Sequence, residues 1–132
     1  MKLEHEHQKA LIHWWAIEAG IRGIDERVLT SIPNQGRGGG WKAARRGAWM
    51  KAEGLRAGMP DLILFVPSQG YHGLAIELKA PVKTARMSDS QKEMKAVLES
   101  QGYVHRTCFG WDAAREAIIG YLGAHRKKGG TI

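Results

Sequence analysis

Asp61 follows a proline and opens the apolar run Leu62-Ile63-Leu64-Phe65-Val66, and a second apolar stretch ends in Glu77-Leu78-Lys79. Between them lies the polar turn Ser68-Gln69-Gly70. Two strands joined this way lie side by side, so the start of the first neighbours the end of the second. Alternation along a strand puts Glu77 and Lys79 on one face and turns Leu78 into the core. One end of the sheet therefore gathers two carboxylates and an ammonium. Such a group can hold a divalent cation and activate a water, which is the equipment for phosphodiester hydrolysis. Either half alone reads more simply as a turn or a surface ion pair. The two in this order, with a hairpin between them, favour chemistry.

Pro60-Asp61 and Glu77-Leu78-Lys79 together resemble the signature of the PD-(D/E)XK nuclease superfamily. The surrounding residues narrow the likeness. Gly58-Met59-Pro60-Asp61-Leu62-Ile63, then Ile76-Glu77-Leu78-Lys79, then Ser88-Asp89-Ser90-Gln91 resemble the VRR-NUC (virus-type replication-repair nuclease) family. Similarity extends to Glu4-His5-Glu6-His7-Gln8, to Asn34 and to Gly102-Tyr103-Val104, nearly the whole chain, as expected of a stand-alone nuclease domain. The resemblance implies that Asp61 and Glu77 bind Mg²⁺ or Mn²⁺, helped by the backbone carbonyl of Leu78 and by Glu4. It assigns Lys79 to the attacking water, and Gln8 and Asn34 to support of the site.

Glu4 and Gln8 are four apart and share one helical face, where by themselves they would be a solvated helix start. Gln91 has a structural role of its own, as the third residue of a helix capped by Ser88. The same amide, near the end of the hairpin, can hydrogen-bond a water or a phosphate, so it joins the candidate catalytic set. His5 and His7 diverge on a helix at a spacing of two, which argues against a zinc site with Glu4 and Glu6.

The charge points to a polyanion. Twenty Lys and Arg against 13 Asp and Glu give a net +7 over 132 residues. Arg37, Lys42, Arg45, Arg46, Lys51 and Arg56, opposed only by Glu53, concentrate that charge in one segment, the expected DNA-binding surface. A membrane surface would call for an amphipathic helix with basic flanks, which is missing, and no apolar stretch approaches a membrane span. The Gly-rich run Gln35–Gly40 lacks the Lys-Ser/Thr ending of a P-loop, which argues against nucleotide hydrolysis. The lone Cys108 reads as a small buried hydrophobe in a reducing, cytoplasmic setting, that of a bacterium or of a virus-infected host.

The elements that must position these groups follow from periodicity and punctuation. Helices are expected over 3–19, stopped by Gly20, over 41–53, from Ser88 to 101, and over 111–124; strands over 27–32, 61–66, 71–78 and 103–108. The first helix is expected to turn Leu3, His7, Ala10, Leu11, Trp14 and Ile17 to one face. Trp14 and Trp111 are expected in the core, while Trp41 and Trp49, set among basic residues, serve either DNA or a dimer interface. This is an α/β domain over 1–125 with a small mixed sheet flanked by helices, restriction-endonuclease-like by resemblance, and a frayed basic tail over 126–132. The function expected is a metal-dependent, structure-selective DNA endonuclease. Stand-alone relatives imply a homodimer that resolves Holliday junctions. The alternatives are a monomer acting on flaps or single-strand/duplex boundaries, and a basic DNA-binding module without catalysis.

Overall fold

A computed structural model describes residues 2–33 and 41–124, without the side chains of 2 and 41–46. Four helices, α1 (Lys2–Arg22), α2 (Trp41–Ala52), α3 (Asp89–Ser100) and α4 (Trp111–Leu122), accompany four strands, β1 (Leu29–Ser31), β2 (Leu62–Leu64), β3 (Leu74–Lys79) and β4 (Val104–Phe109). The sheet runs in the order β1-β2-β3-β4. The first two pairings are antiparallel, with Leu62 opposite Ile76, and β3 pairs with β4 in parallel. This is the mixed α/β arrangement the sequence implies.

The hairpin behaves as alternation requires. Leu74, Ile76 and Leu78 are buried on one face with Leu62 and Leu64, and α1 and α4 cover that face with Leu11, Trp15, Ala114 and Ile118. Glu77 and Lys79 occupy the other face, where α3 packs along β4.

Two expectations for α1 are corrected. Gly20 does not stop the helix, which continues to Arg22. The stop comes at Gly23, where φ is +71° and the Ile24 N–H reaches back to the Ala19 carbonyl; this left-handed step is open to glycine at little cost. A partly buried ion pair, Arg22 Nε to Glu18 Oε2 at 2.7 Å, and a bond from Arg22 Nη2 to the Gly123 carbonyl at 2.7 Å hold the added turn. The buried face is Leu11, Trp15 and Ala19, whereas Leu3 and Ile17 are exposed. Among the described side chains Trp15 is the tryptophan in the core, and it donates from Nε1 to the Glu26 carbonyl at 2.9 Å. Trp14 and Trp111 pack at the margin of the core, partly buried.

The expected first strand is shorter, because Asp25 caps a 3-10 turn over Glu26–Val28 and only Leu29–Ser31 pair. Cys108 lies in the core, and burial pushes its thiol up to about 11, as suits an inert small hydrophobe.

Candidate active site

Asp61, Glu77, Lys79 and Gln91 come together at one end of the sheet. Asp61 stands just before β2, and its Oδ2 accepts the Leu78 N–H at 2.7 Å, which ties the carboxylate across to β3. Glu77, nearly the last residue of β3, is 2% exposed. Its Oε2 accepts from Gln91 Nε2 at 2.9 Å and lies 3.7 Å from the Lys79 ammonium. Lys79 Nζ donates to Gln91 Oε1 at 3.0 Å.

Gln91 thus faces both catalytic candidates at once. It also closes the cap of α3: its Oε1 accepts the Ser88 N–H at 2.8 Å, and its own N–H donates to Ser88 Oγ at 3.2 Å. The structural and the chemical readings of this residue coincide in one amide. Gly58 allows the approach. Its φ is +79°, and a Cβ there would lie 2.1 Å from the Ser90 carbonyl oxygen. Only a residue without a side chain lets the Gly58-Met59-Pro60-Asp61 turn pass beneath the start of α3.

Electrostatics mark Glu77 as the unusual group. Burial, reinforced by the neighbouring Asp61 carboxylate and by Glu4 and opposed by Lys79, pushes its carboxyl up to about 8. Its hydrogen bond with Asp61 contributes to that rise, and two buried carboxyls held this close are poorly served by protein alone and well served by a cation. Among the described residues no group of three or more His, Cys, Asp or Glu could hold a metal ion by itself. The donor set is two carboxylates, which suits a Mg²⁺-like ion that keeps several of its waters and does not suit zinc. The residues fit such an ion.

On the α1 side, Glu4, His5 and Gln8 line a cleft of about 280 Å³ together with Ser31, Ile32, Asp61 and Leu78. The start of α1 is thereby brought to Asp61. His7 lies elsewhere: its Nδ1 accepts the Trp111 N–H at 2.9 Å and supplies α4 with the cap that Gly110 cannot. Neither this cap nor the lining by Ser31 and Ile32 had a local signal. Of the basic candidates, Lys51 and Arg56 are exposed. Lys42, Arg45 and Arg46 fall on α2. Asn34, Arg37 and the 126–132 tail lie outside the described residues.

An Asp on one strand's entry and a Glu-X-Lys at the end of its antiparallel neighbour, in a small mixed sheet, define a nuclease domain of the PD-(D/E)XK type. The profile of the VRR-NUC domain matches residues 3–111, and the chain belongs to the VRR-NUC family. The solved structure of a VRR_NUC domain protein superposes with a TM-score of 0.70 at 25% identity, covering 90% of this chain and 87% of its own. No curated protein matches the sequence. Nucleases of this family generally use divalent metals. Among the described residues no helix is long and apolar enough to cross a membrane.

Proposed function

We propose that this chain is a Mg²⁺- or Mn²⁺-dependent endonuclease that hydrolyses phosphodiester bonds in branched DNA. The observation that carries the reading is Glu77, buried against the Asp61 carboxylate and 3.7 Å from Lys79. Asp61 and Glu77 would hold the cation, with the Leu78 carbonyl and Glu4 as further oxygen donors. When bound, the ion supplies Lewis acidity to the scissile phosphate and to the attacking water. Gln91 takes up one donor of the Lys79 ammonium and leaves others for that water and for charge on the transition state. Gln91 also holds Glu77, so that its carboxylate is set before substrate arrives.

Supercoiled plasmid incubated with Mn²⁺ tests the chemistry. Asp61→Ala and Lys79→Ala should each abolish nicking while retaining DNA affinity, and EDTA should do the same to the unaltered protein. Full activity in Lys79→Ala or in excess EDTA would remove this mechanism, and no nicking by the unaltered protein with Mn²⁺ would leave a binding module.

The substrate we infer is a four-way junction cut by a homodimer, since two sites related by a two-fold axis match the near two-fold symmetry of the junction. Trp49, 74% exposed on α2 among basic residues, supports a surface that is covered in the working assembly. Sizing in solution and a comparison of junction, flap and linear duplex test this. A monomer that prefers flaps would replace the junction by the flap and leave the metal chemistry as it stands.

A further inference from the structure

Phe109 ends β4 and is 46% exposed. Single exposed hydrophobics are ordinary on protein surfaces. What distinguishes this one is its register: it pairs in parallel with Lys79, and the Gly110 N–H donates to the Lys79 carbonyl at 2.9 Å, so the pairing holds to the end of both strands. Register partners on neighbouring strands project to the same face and stand one strand spacing apart, about 4.8 Å. An uncharged ring therefore leaves the sheet on the face that carries Lys79, one strand away. Because β3 lies between β2 and β4, the ring sits on the far side of Lys79 from Asp61. Val82, just after β3, is likewise 46% exposed. Pro81, beside it, approaches the end of β4, since a Cβ on Gly110 would lie 3.7 Å from the Pro81 side chain.

We propose that Phe109 stacks on an unpaired nucleobase next to the scissile phosphate, so that the site selects DNA whose bases are open at the point of cleavage. The proposal rests on the nuclease reading above and adds the feature that distinguishes branched from intact DNA. In a continuous duplex every base face is covered by its neighbours, and a ring in this position meets nothing flat. At a branch, gap or frayed end a base can be splayed out, and its face meets the ring while the phosphate lies toward Lys79 and Asp61. Phenylalanine has no donor or acceptor with which to read a base edge. Stacking of this kind tolerates any base, which suits recognition by shape.

The test compares the unaltered protein with Phe109→Leu, which keeps apolar bulk and removes the ring, and Phe109→Trp, which keeps a ring. A fork carrying 2-aminopurine at the unpaired nucleotide nearest the branch, and a matching linear duplex, are bound in Ca²⁺ and then cleaved in Mn²⁺. Quenching of 2-aminopurine should appear with the unaltered protein and Phe109→Trp and be lost in Phe109→Leu. Phe109→Leu should bind the fork about 10-fold more weakly, with duplex affinity unchanged and with KM rising more than kcat falls. A Phe109→Leu protein that quenches and binds the fork normally overturns the proposal, as does one that loses fork and duplex affinity by the same factor. If the unaltered protein cuts neither DNA while quenching still depends on the ring, stacking stands and the nuclease reading falls. If it cuts and Phe109→Leu is indistinguishable from it, stacking alone falls.

Discussion

Replacing Glu77 by Gln should abolish cleavage and stabilise the metal-free protein. The side chain is 2% exposed, and its carboxyl is pushed up to about 8 from the usual 4.5 by burial and by Asp61. At pH 7 the folded protein therefore keeps Glu77 protonated, whereas the unfolded chain ionises it freely. A raised carboxyl value means stability that is complete below about 4.5 and is lost as pH climbs toward 8. From 4.5 to pH 7 is about 2.5 pH units at about 1.36 kcal/mol each, so the cost is about 3.4 kcal/mol. Glutamine has nothing to ionise, and its carbonyl can still accept from Gln91. Relaxation around the site lowers the gain to about 2 kcal/mol, or roughly 8 °C in melting temperature for a chain of this size. Thermal melts in EDTA at pH 4 and pH 7 read the difference. The two proteins should melt together at pH 4 and separate at pH 7. Equal stability at pH 7, or the same gap at both values, would refute the assignment of a strained, desolvated Glu77.

Gln91→Glu separates the two roles of that amide. A glutamate there still accepts the Ser88 N–H, so the melting temperature should stay near that of the parent, but it cannot donate to Glu77, and cleavage should fall about 10- to 100-fold; Gln91→Ala should lose both, with about 1 kcal/mol of stability gone in urea titration. Gly58→Ala should destabilise by roughly 3 kcal/mol or more, because the left-handed backbone and the Ser90 carbonyl both oppose a Cβ, and chemical denaturation measures it. Arg45 and Arg46 both changed to Ala should weaken DNA binding alike for all sequences. The slope of log K against log salt should flatten by about 0.9 for each phosphate that is no longer neutralised; an effect confined to one sequence would count against phosphate binding by these residues.

The hairpin was legible because its information is local. Asp61, the alternating Leu74-Ala75-Ile76-Glu77-Leu78-Lys79 and the Ser88–Gln91 cap each announce themselves within a few residues, and the structure keeps their pairing, faces and cap. The inward face of α1 was harder. Adjacent tryptophans and scattered isoleucines gave the helix apolar residues on more than one side, so periodicity chose Trp14 and Ile17 where packing chose Trp15 and Ala19. Glycine at position 20 carries an intrinsic helix cost of about 1 kcal/mol. The pair of Arg22 with Glu18 and its bond to Gly123 offset that cost, and a bond across 101 residues leaves no local trace. His7 illustrates the same limit. It reads as a polar residue near a helix start, yet it accepts a bond from Trp111, 104 positions away. Glu77 was visible as a carboxylate, but its desolvation belongs to the assembled site.

The central place of β3 bears on when a growing chain completes its site. Its antiparallel partner β2 precedes it, whereas its parallel partner β4 and the helix α4 that covers the shared face are synthesised only after α3. Until Val104–Phe109 has been made, the strand that bears Glu77 and Lys79 has one side without a ladder, and Leu74, Ile76 and Leu78 lack the cover of Ala114 and Ile118. The N-terminal helix, which brings Glu4 to the cleft, is anchored to α4 through His7 and Arg22. The candidate site is thus complete only when the last strand and helix have joined the sheet, so a chain that ends before Val104–Phe109 lacks the frame that sets Glu77 and Lys79.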